Sequence, residues 1–359
     1  MRKAIVGEAA PLRRWLRQGA GAQGSAPAPP LSRRRTAQDA MLARTAILIL
    51  GSPRSGTTWL AKIFDSHPDV IYRHEPDELR PARPGIDPCQ QLSDWIGERG
   101  LRAAAKRPFF RKSWLPPSRA TIRSAMAYAI SGASRLPVAG SSIARVALPD
   151  FAVLDRRSGL RAAVKLVNWD ASEAARILPD TRSLFILRHP CGQVASMLAG
   201  VRQQRFRRRQ EEPAMPIDVA AAATFAAARG VTAAQFHALP DAAKLAWSWL
   251  DFNEPVLDRL GALPNARIVR YEALCRRPAA VARELLEFAD LAWNPQTDAF
   301  IGRSTQDDRS SEYFAVFRNS ADMAERWRSA MSQADQEAVR SVVLGSRLAQ
   351  RWPDLAEAG

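Results

Sequence analysis

Long apolar runs are missing from this 359-residue chain. None approaches the roughly 20 residues that a bilayer-spanning helix needs, so no membrane span is expected. Cysteine is scarce: Cys89, Cys191 and Cys275 stand far apart. No C-x-x-C pair occurs, and the odd count argues against a disulfide framework. The three fit a reducing compartment as small structural residues, and a cytoplasmic location is expected. Acidic residues are also short, 36 against 52 Lys and Arg, for a formal net charge of +16. No zinc, RNA-binding or helix-turn-helix signature accompanies that excess, so nucleic acid is not the expected partner. No acidic Walker-B-like pair or His/Cys cluster marks a metal site, so no metal is expected. The charge suits an anionic ligand: a nucleotide with several phosphates, an acidic acceptor or a membrane surface. An arginine-rich proteome is the plainer alternative.

What is present is ordinary for a soluble globular protein, with 47% hydrophobic and 25% charged residues. Residues 1–44 stand apart, holding nine Arg and Lys against two acids. They contain a Gly/Ala/Pro-rich piece and the run Arg33-Arg34-Arg35. No apolar core of about 7–15 residues follows the basic start, so this is not a secretory signal. The segment reads as a basic, mostly disordered extension, with Met41 a candidate alternative start. One folded domain is expected over residues 45–350.

That domain is organised around Ile47 to Glu75. The apolar run Ala46–Leu50 reads as a buried strand. Gly51 ends it, and Ser52-Pro53-Arg54-Ser55-Gly56 leads into Thr57-Thr58-Trp59-Leu60. Leu60, Ile63 and Phe64 recur at helical spacing until Pro68. A strand, a tight loop and a helix N-terminus make an anion site, because the first N–H groups of a helix lack internal partners and the macrodipole is positive there. Gly51 and Gly56 have the spacing of the nucleotide P-loop, but Thr57 stands where its lysine belongs. The ATP·Mg²⁺ apparatus is therefore incomplete, and Arg54 is the nearest cation.

Further on, a strand at Ala162–Val167, a helix from Ser172 to Pro179 and a strand at Arg182–Leu187 imply a right-handed parallel crossover. Ligands in such sheets sit beyond the strand carboxyl ends. Arg54 and Arg188 both lie there. The expected fold is α/β, a central parallel sheet with a P-loop-like phosphate-binding loop and helices on both faces. Residues 80–150 show weak periodicity, and Trp95, Phe109, Phe110 and Trp114 within them are either acceptor contacts or a local subcore. Residues 217–260 read as two helices broken at Leu239-Pro240. The arginine-rich run from Arg202 to Arg209 reads as a solvated face, or as a contact for an acidic acceptor or phospholipid.

Pro53-Arg54-Ser55-Gly56-Thr57-Thr58-Trp59 resembles the 5′-phosphosulfate loop of the sulfotransferases, enzymes that use 3′-phosphoadenosine 5′-phosphosulfate (PAPS) as sulfuryl donor. Leu184-Phe185-Ile186-Leu187-Arg188-His189-Pro190, with Ser196 eight residues after Arg188, resembles the family's 3′-phosphate segment. Arg270-Tyr271-Glu272 looks like its late R-Y-E-x-L turn. The resemblance is clear over about Thr45–Ser196, weaker to about Arg328, and absent from the first 44 residues. It implies that Arg54 and the N–H groups of Ser55, Gly56, Thr57 and Thr58 hold the 5′-phosphosulfate. It implies that Arg188 and Ser196 hold the 3′-phosphate, and that Trp59 stacks on adenine unless it packs its own helix. It also implies that residues 80–150 form the acceptor site and lid. An R-K-G element that closes over the 3′-phosphate survives here only as Arg318.

The base follows a branch rather than the whole family. Many cytosolic members use His in a K-T-H segment, where this chain has Lys165-Leu166-Val167. Another branch, which includes tyrosylprotein enzymes, has a Glu after H-P-D-V. His67-Pro68-Asp69-Val70 is present, and Glu75 falls at the matching offset. Glu75 is the expected base, provided its pKa is raised by burial or matched in the complex, and His74 is the competitor. Lys165 is a candidate for steadying the leaving oxygen. A Glu75 paired with Arg54 or Arg73 is the structural alternative. The rival functions are a P-loop kinase and a non-catalytic nucleotide- or polyanion-binding module. The acceptor stays open among carbohydrate, lipid headgroup, peptide tyrosine and small phenol.

Overall fold

A computed structural model of the chain describes residues 37–104, 106–133, 143, 146–148, 159–167, 169, 172–202, 217–306 and 320–356. The basic stretch through residue 36, the arginine run beyond Arg202 and the segment around Arg318 lie outside these residues. Five strands form one parallel sheet: β1 (Ile47–Leu50), β2 (Val70–His74), β3 (Arg161–Lys165), β4 (Arg182–Leu187) and β5 (Ala266–Arg270). Their order is β2-β3-β1-β4-β5, and each neighbouring pair is parallel.

Strand composition explains the burial on both faces. In β1, Ile47 and Ile49 face one core cluster while Leu48 and Leu50 face the other, as the period of two requires. β4 divides in the same way, with Leu184 and Ile186 opposite Phe185 and Leu187. The helix Thr57–Ser66 covers one side with Leu60, Ile63 and Phe64. The helix Asp241–Leu260 covers the other with Leu245, Trp249 and Leu250. An all-parallel sheet needs this double cover.

Several boundaries differ from the sequence expectation. β3 ends at Lys165 rather than Val167 because Asp77 Oδ2 accepts the N–H groups of Val167 and Trp169 at 2.9 and 3.0 Å, drawing the chain off the sheet. The Ala-rich helix before Leu239 is two helices, Val219–Ala227 and Ala233–Ala238. Gly230, at φ 87°, allows the break, and a Thr232–Gln235 capping box starts the second piece. The segment after residue 80 is more regular than its periodicity suggests, with helices at Pro88–Ile96 and Pro117–Ala133. Asp87 caps the first by accepting from Gln90 N at 2.9 Å.

One buried polar cluster joins that segment to the sheet. Lys62, fully buried on the helix Thr57–Ser66, donates to the Asp65 carboxylate and to the Lys106 carbonyl. Lys112 donates to Asp65 Oδ1 at 3.0 Å and to the His67 carbonyl at 3.2 Å. Burial lowers the Lys62 ammonium to about 8 against the pull of Asp65. Two ammonium groups thus share one carboxylate out of water. Removing the shared partner of a buried ion cluster costs about 3–5 kcal/mol. Asp65→Asn is expected to lose that much in urea unfolding, and a loss under about 1 kcal/mol would mean the cluster is hydrated.

Candidate functional site

Parallel pairing brings the carboxyl ends of β1, β2, β3 and β4 to one edge, where Arg54, Glu75, Lys165 and Arg188 emerge. The loop after β1 is tightly constrained. Gly56 has φ 104°, and a Cβ there would stand 2.5 Å from Tyr271 Cδ2. Arg54 has φ 69°, a left-handed conformation that costs a non-glycine residue on the order of 1 kcal/mol. This twist turns the Arg54 carbonyl to Arg188 Nη1, which donates to it at 3.0 Å. Arg54 Nε in turn donates to Ser196 Oγ at 3.1 Å. Three residues from two segments 134 and 142 positions apart therefore meet directly.

Other groups brace this meeting point. Gln193 and Ser52 exchange a hydrogen bond, with Nε2 2.8 Å from Oγ. The Arg188 guanidinium lies over the Tyr271 ring at 4.4 Å. Glu272 Oε1 accepts from His189 N at 2.8 Å. The Tyr271-Glu272 turn therefore supports both loops, and Gln193, a lone amide on a helix, carries no signal in the sequence.

The first turn of the helix Thr57–Ser66 presents its N–H groups at the same place. Ser55 N is spent on the Ser52 carbonyl at 3.1 Å, so the expected set of four donors shrinks to Gly56, Thr57 and Thr58. Ser55 contributes differently: its Oγ is buried and has no hydrogen-bond partner among the described residues. A buried, unsatisfied hydroxyl in a loop whose helix has no side-chain cap fits an anion. Trp59 is 9% exposed, meets Tyr271 edge-on at 6.5 Å and donates its indole N–H to Ser304 Oγ at 3.2 Å. These are packing contacts. Trp95, Phe110 and Trp114 are likewise buried in the core, and Phe109 packs on Tyr128 at 5.0 Å.

The second half of the site lies past β2. Side chains alternate along a strand, so a continued strand would point Glu75 away from His74. Instead Glu75 takes φ 51°, ψ 49° and its N–H donates to the Lys165 carbonyl at 2.9 Å. That turn re-aims its carboxylate. Lys165 donates to Glu75 Oε1, and His74 Nε2 stands 3.5 Å from Oε2. The partner is thus neither Arg54 nor Arg73; Arg73 Nε donates to the Ile96 carbonyl at 2.6 Å.

The expected rise in the Glu75 pKa is reversed. Burial pushes it up, but the Lys165 ammonium beside it outweighs burial and holds the carboxyl below its usual range. Burial pushes the His74 imidazole well below its usual value despite Glu75. Burial also lowers the Lys106 ammonium, which lies in the field of Glu75, Lys165 and Arg54. Lys106 belongs to the segment tethered by Lys62, and no motif announced it. Glu78, beside Glu75 and ion-paired to Arg102, is raised by burial.

A sequence model described as the sulfotransferase family matches residues 46–295. The chain belongs to that family. The chain is 40% identical over 65 residues to mouse carbohydrate sulfotransferase 3, covering 18% of this chain and 14% of that protein. The rat counterpart is 39% identical over 62 residues, 17% and 13% of the two chains. Among solved structures, a mouse sulfotransferase complexed with PAP aligns with TM-score 0.42 and 13% identity over 87% of this chain and 89% of that one. A sulfotransferase from Mycobacterium avium aligns with TM-score 0.38 and 15% identity, over 86% and 76%.

Two outcomes follow from this geometry. Gly56→Ala drives a Cβ into Tyr271 at a left-handed position, so a loss of about 1–3 kcal/mol is expected by thermal melting. Lys165→Met removes the main charge that opposes burial, so the Glu75 carboxyl should titrate higher in ¹³C NMR. An unchanged Glu75 titration would show that Lys165 does not control it.

Proposed function

We propose that the chain is a PAPS-dependent sulfotransferase that transfers the sulfuryl group to a hydroxyl or amine. The observation that carries this reading is the contact of Arg188 Nη1 with the Arg54 carbonyl and of Arg54 Nε with Ser196 Oγ. One ligand bearing phosphate at both ends of a ribose can meet both segments at once. In this reading Gly56, Thr57 and Thr58 N–H, Ser55 Oγ and the Arg54 guanidinium hold the 5′-phosphosulfate. Arg188 and Ser196, with Arg318 from the later segment, hold the 3′-phosphate. Trp59 borders the nucleotide through its small exposed part rather than stacking freely.

The transferring group needs positive charge around it and a positioned nucleophile. Arg54, Lys165 and Lys106 supply the charge. Glu75 takes the acceptor proton; Lys165 keeps it ionised and therefore in the base form. An anionic donor that competes for Lys165 would weaken that hold and raise the carboxylate's proton affinity. Residues 45–350 act as one catalytic unit, with 80–150 facing the acceptor. The reaction as proposed requires no metal. Cys89, Cys191 and Cys275, none of them in a disulfide among the described residues, suit a cytoplasmic setting. Among the described residues, no helix is long and apolar enough to cross a membrane. The acceptor class includes small molecules, carbohydrates, lipid headgroups and peptides. The kinase alternative is disfavoured by Thr57 in place of the phosphate-binding lysine.

Calorimetric titration tests the donor. Adenosine 3′,5′-bisphosphate should bind in EDTA far more tightly than AMP, and Arg188→Ala should abolish that preference. Tighter binding of ATP·Mg²⁺ would instead favour the kinase. Once an acceptor is found, Glu75→Gln should cut turnover by about 10²–10⁴ with donor affinity nearly intact.

A further inference from the structure

Glu75 is held from both sides, by Lys165 at Oε1 and by His74 Nε2 facing Oε2 at 3.5 Å. An imidazole can present either an N–H or a lone pair at such a contact, depending on its tautomer. The choice is made one residue pair back along β2. His74 Nδ1 lies 2.7 Å from the Tyr72 hydroxyl. Tyr72 and His74 are two apart on a strand, so they share a face. Tyr72 is buried, and burial together with Asp65 and Glu75 pushes its hydroxyl well above the usual range, so it keeps its proton. Tyr72 has a proton to donate and an ionised Glu75 can only accept, so the arrangement that satisfies both has Nδ1 accepting from Tyr72 and the single proton of the neutral ring on Nε2, directed at Glu75.

Tyr72 is itself seated from behind. The Lys62 ammonium lies 5.3 Å from its ring centroid and 5.2 Å from that of Phe110. Lys62 in turn is fixed by Asp65 and the Lys106 carbonyl. A buried polar string thus runs from Lys112 through Asp65 and Lys62 to Tyr72, His74, Glu75 and Lys165. Its charged neighbours at the Glu75 end are Lys165 on β3, Lys106 on the tethered segment and Glu78 on the following turn.

We propose that Tyr72 and His74 are positioning residues that fix the orientation of the Glu75 carboxylate, leaving Glu75 alone to meet the acceptor. This rests on the reading of Glu75 as proton acceptor given under Proposed function. It removes His74 as a rival base, since Nδ1 is turned inward to Tyr72 and Nε2 carries a proton. In the reaction the acceptor O–H bond breaks towards Glu75, the acceptor oxygen bonds to sulfur, and the sulfur–oxygen bond to the donor phosphate breaks. The protons on Tyr72 Oη and His74 Nε2 stay where they are. The 3.5 Å contact is longer than a good hydrogen bond, and such contacts commonly tighten when substrate binds.

The chain has four histidines, so ¹⁵N,¹³C-histidine NMR can read each tautomer, with His74→Gln supplying the assignment. The expected result is a neutral Nε2–H ring for His74 at neutral pH, and a mixture of tautomers in Tyr72→Phe. Turnover is read as adenosine 3′,5′-bisphosphate released from PAPS with water as acceptor. Tyr72→Phe should lower kcat about 10- to 100-fold while KM for PAPS stays within about twofold. His74→Gln, which can restore an N–H near the Nε2 position, should keep several times the kcat of His74→Leu. An Nδ1–H tautomer in the wild type, an unchanged kcat in Tyr72→Phe, or equal losses in His74→Gln and His74→Leu would each overturn the proposal. A wild-type chain that binds no bisphosphate and releases none would instead sink the catalytic reading, while the tautomer would still decide whether the relay exists.

Discussion

Parallel pairing of β1 with β3 on one side and β4 on the other is the constraint from which the rest follows. It places the ends of three strands within reach of one ligand and forces every connection to cross outside the sheet. Those crossings supply the helices that bury both faces. They also bring four cationic side chains, Arg54, Arg188, Lys165 and Lys106, into one neighbourhood that contains few acids. Part of the resulting repulsion is relieved internally, with Glu75 opposite Lys165 and Tyr271 beneath the Arg188 guanidinium. An anion bound at the loop would relieve more of it.

Much of this was legible because it is local. The apolar run Ile47–Leu50, the two glycines and the Thr57-Thr58 helix start are contiguous, so strand, loop and helix can be read in a single pass. β4 and the Arg188…Ser196 spacing are equally local, and the strand rule puts Arg54 and Arg188 at the same edge. The exchange between Arg54 and Ser196 is the outcome of that rule, although nothing in the sequence specifies which atoms touch.

The less legible features depend on partners far away in the chain. Burial alone would raise the Glu75 pKa, and the reversal comes from Lys165, 90 residues on. Lys106 sits in a stretch of weak periodicity, and its carbonyl is held by Lys62 from a distant helix. Ser55 N has the sequence position of a ligand donor, but the turn to Ser52 uses it. Trp59 has the residue type of a stacking platform, but Ser304 and Tyr271 occupy its polar atom and one edge. Aromatic residues in an irregular segment are ambiguous for the same reason: Trp95 and Trp114 were as suited to packing as to binding, and they pack.

The helix Thr57–Ser66 carries the loop's N–H donors at its first turn and Lys62 and Asp65 further along. Ten residues of α-helix make a rod about 15 Å long. One end of that rod grips the site proposed for the donor, and its middle grips the segment that brings in Lys106. A tilt at either place is a tilt at the other.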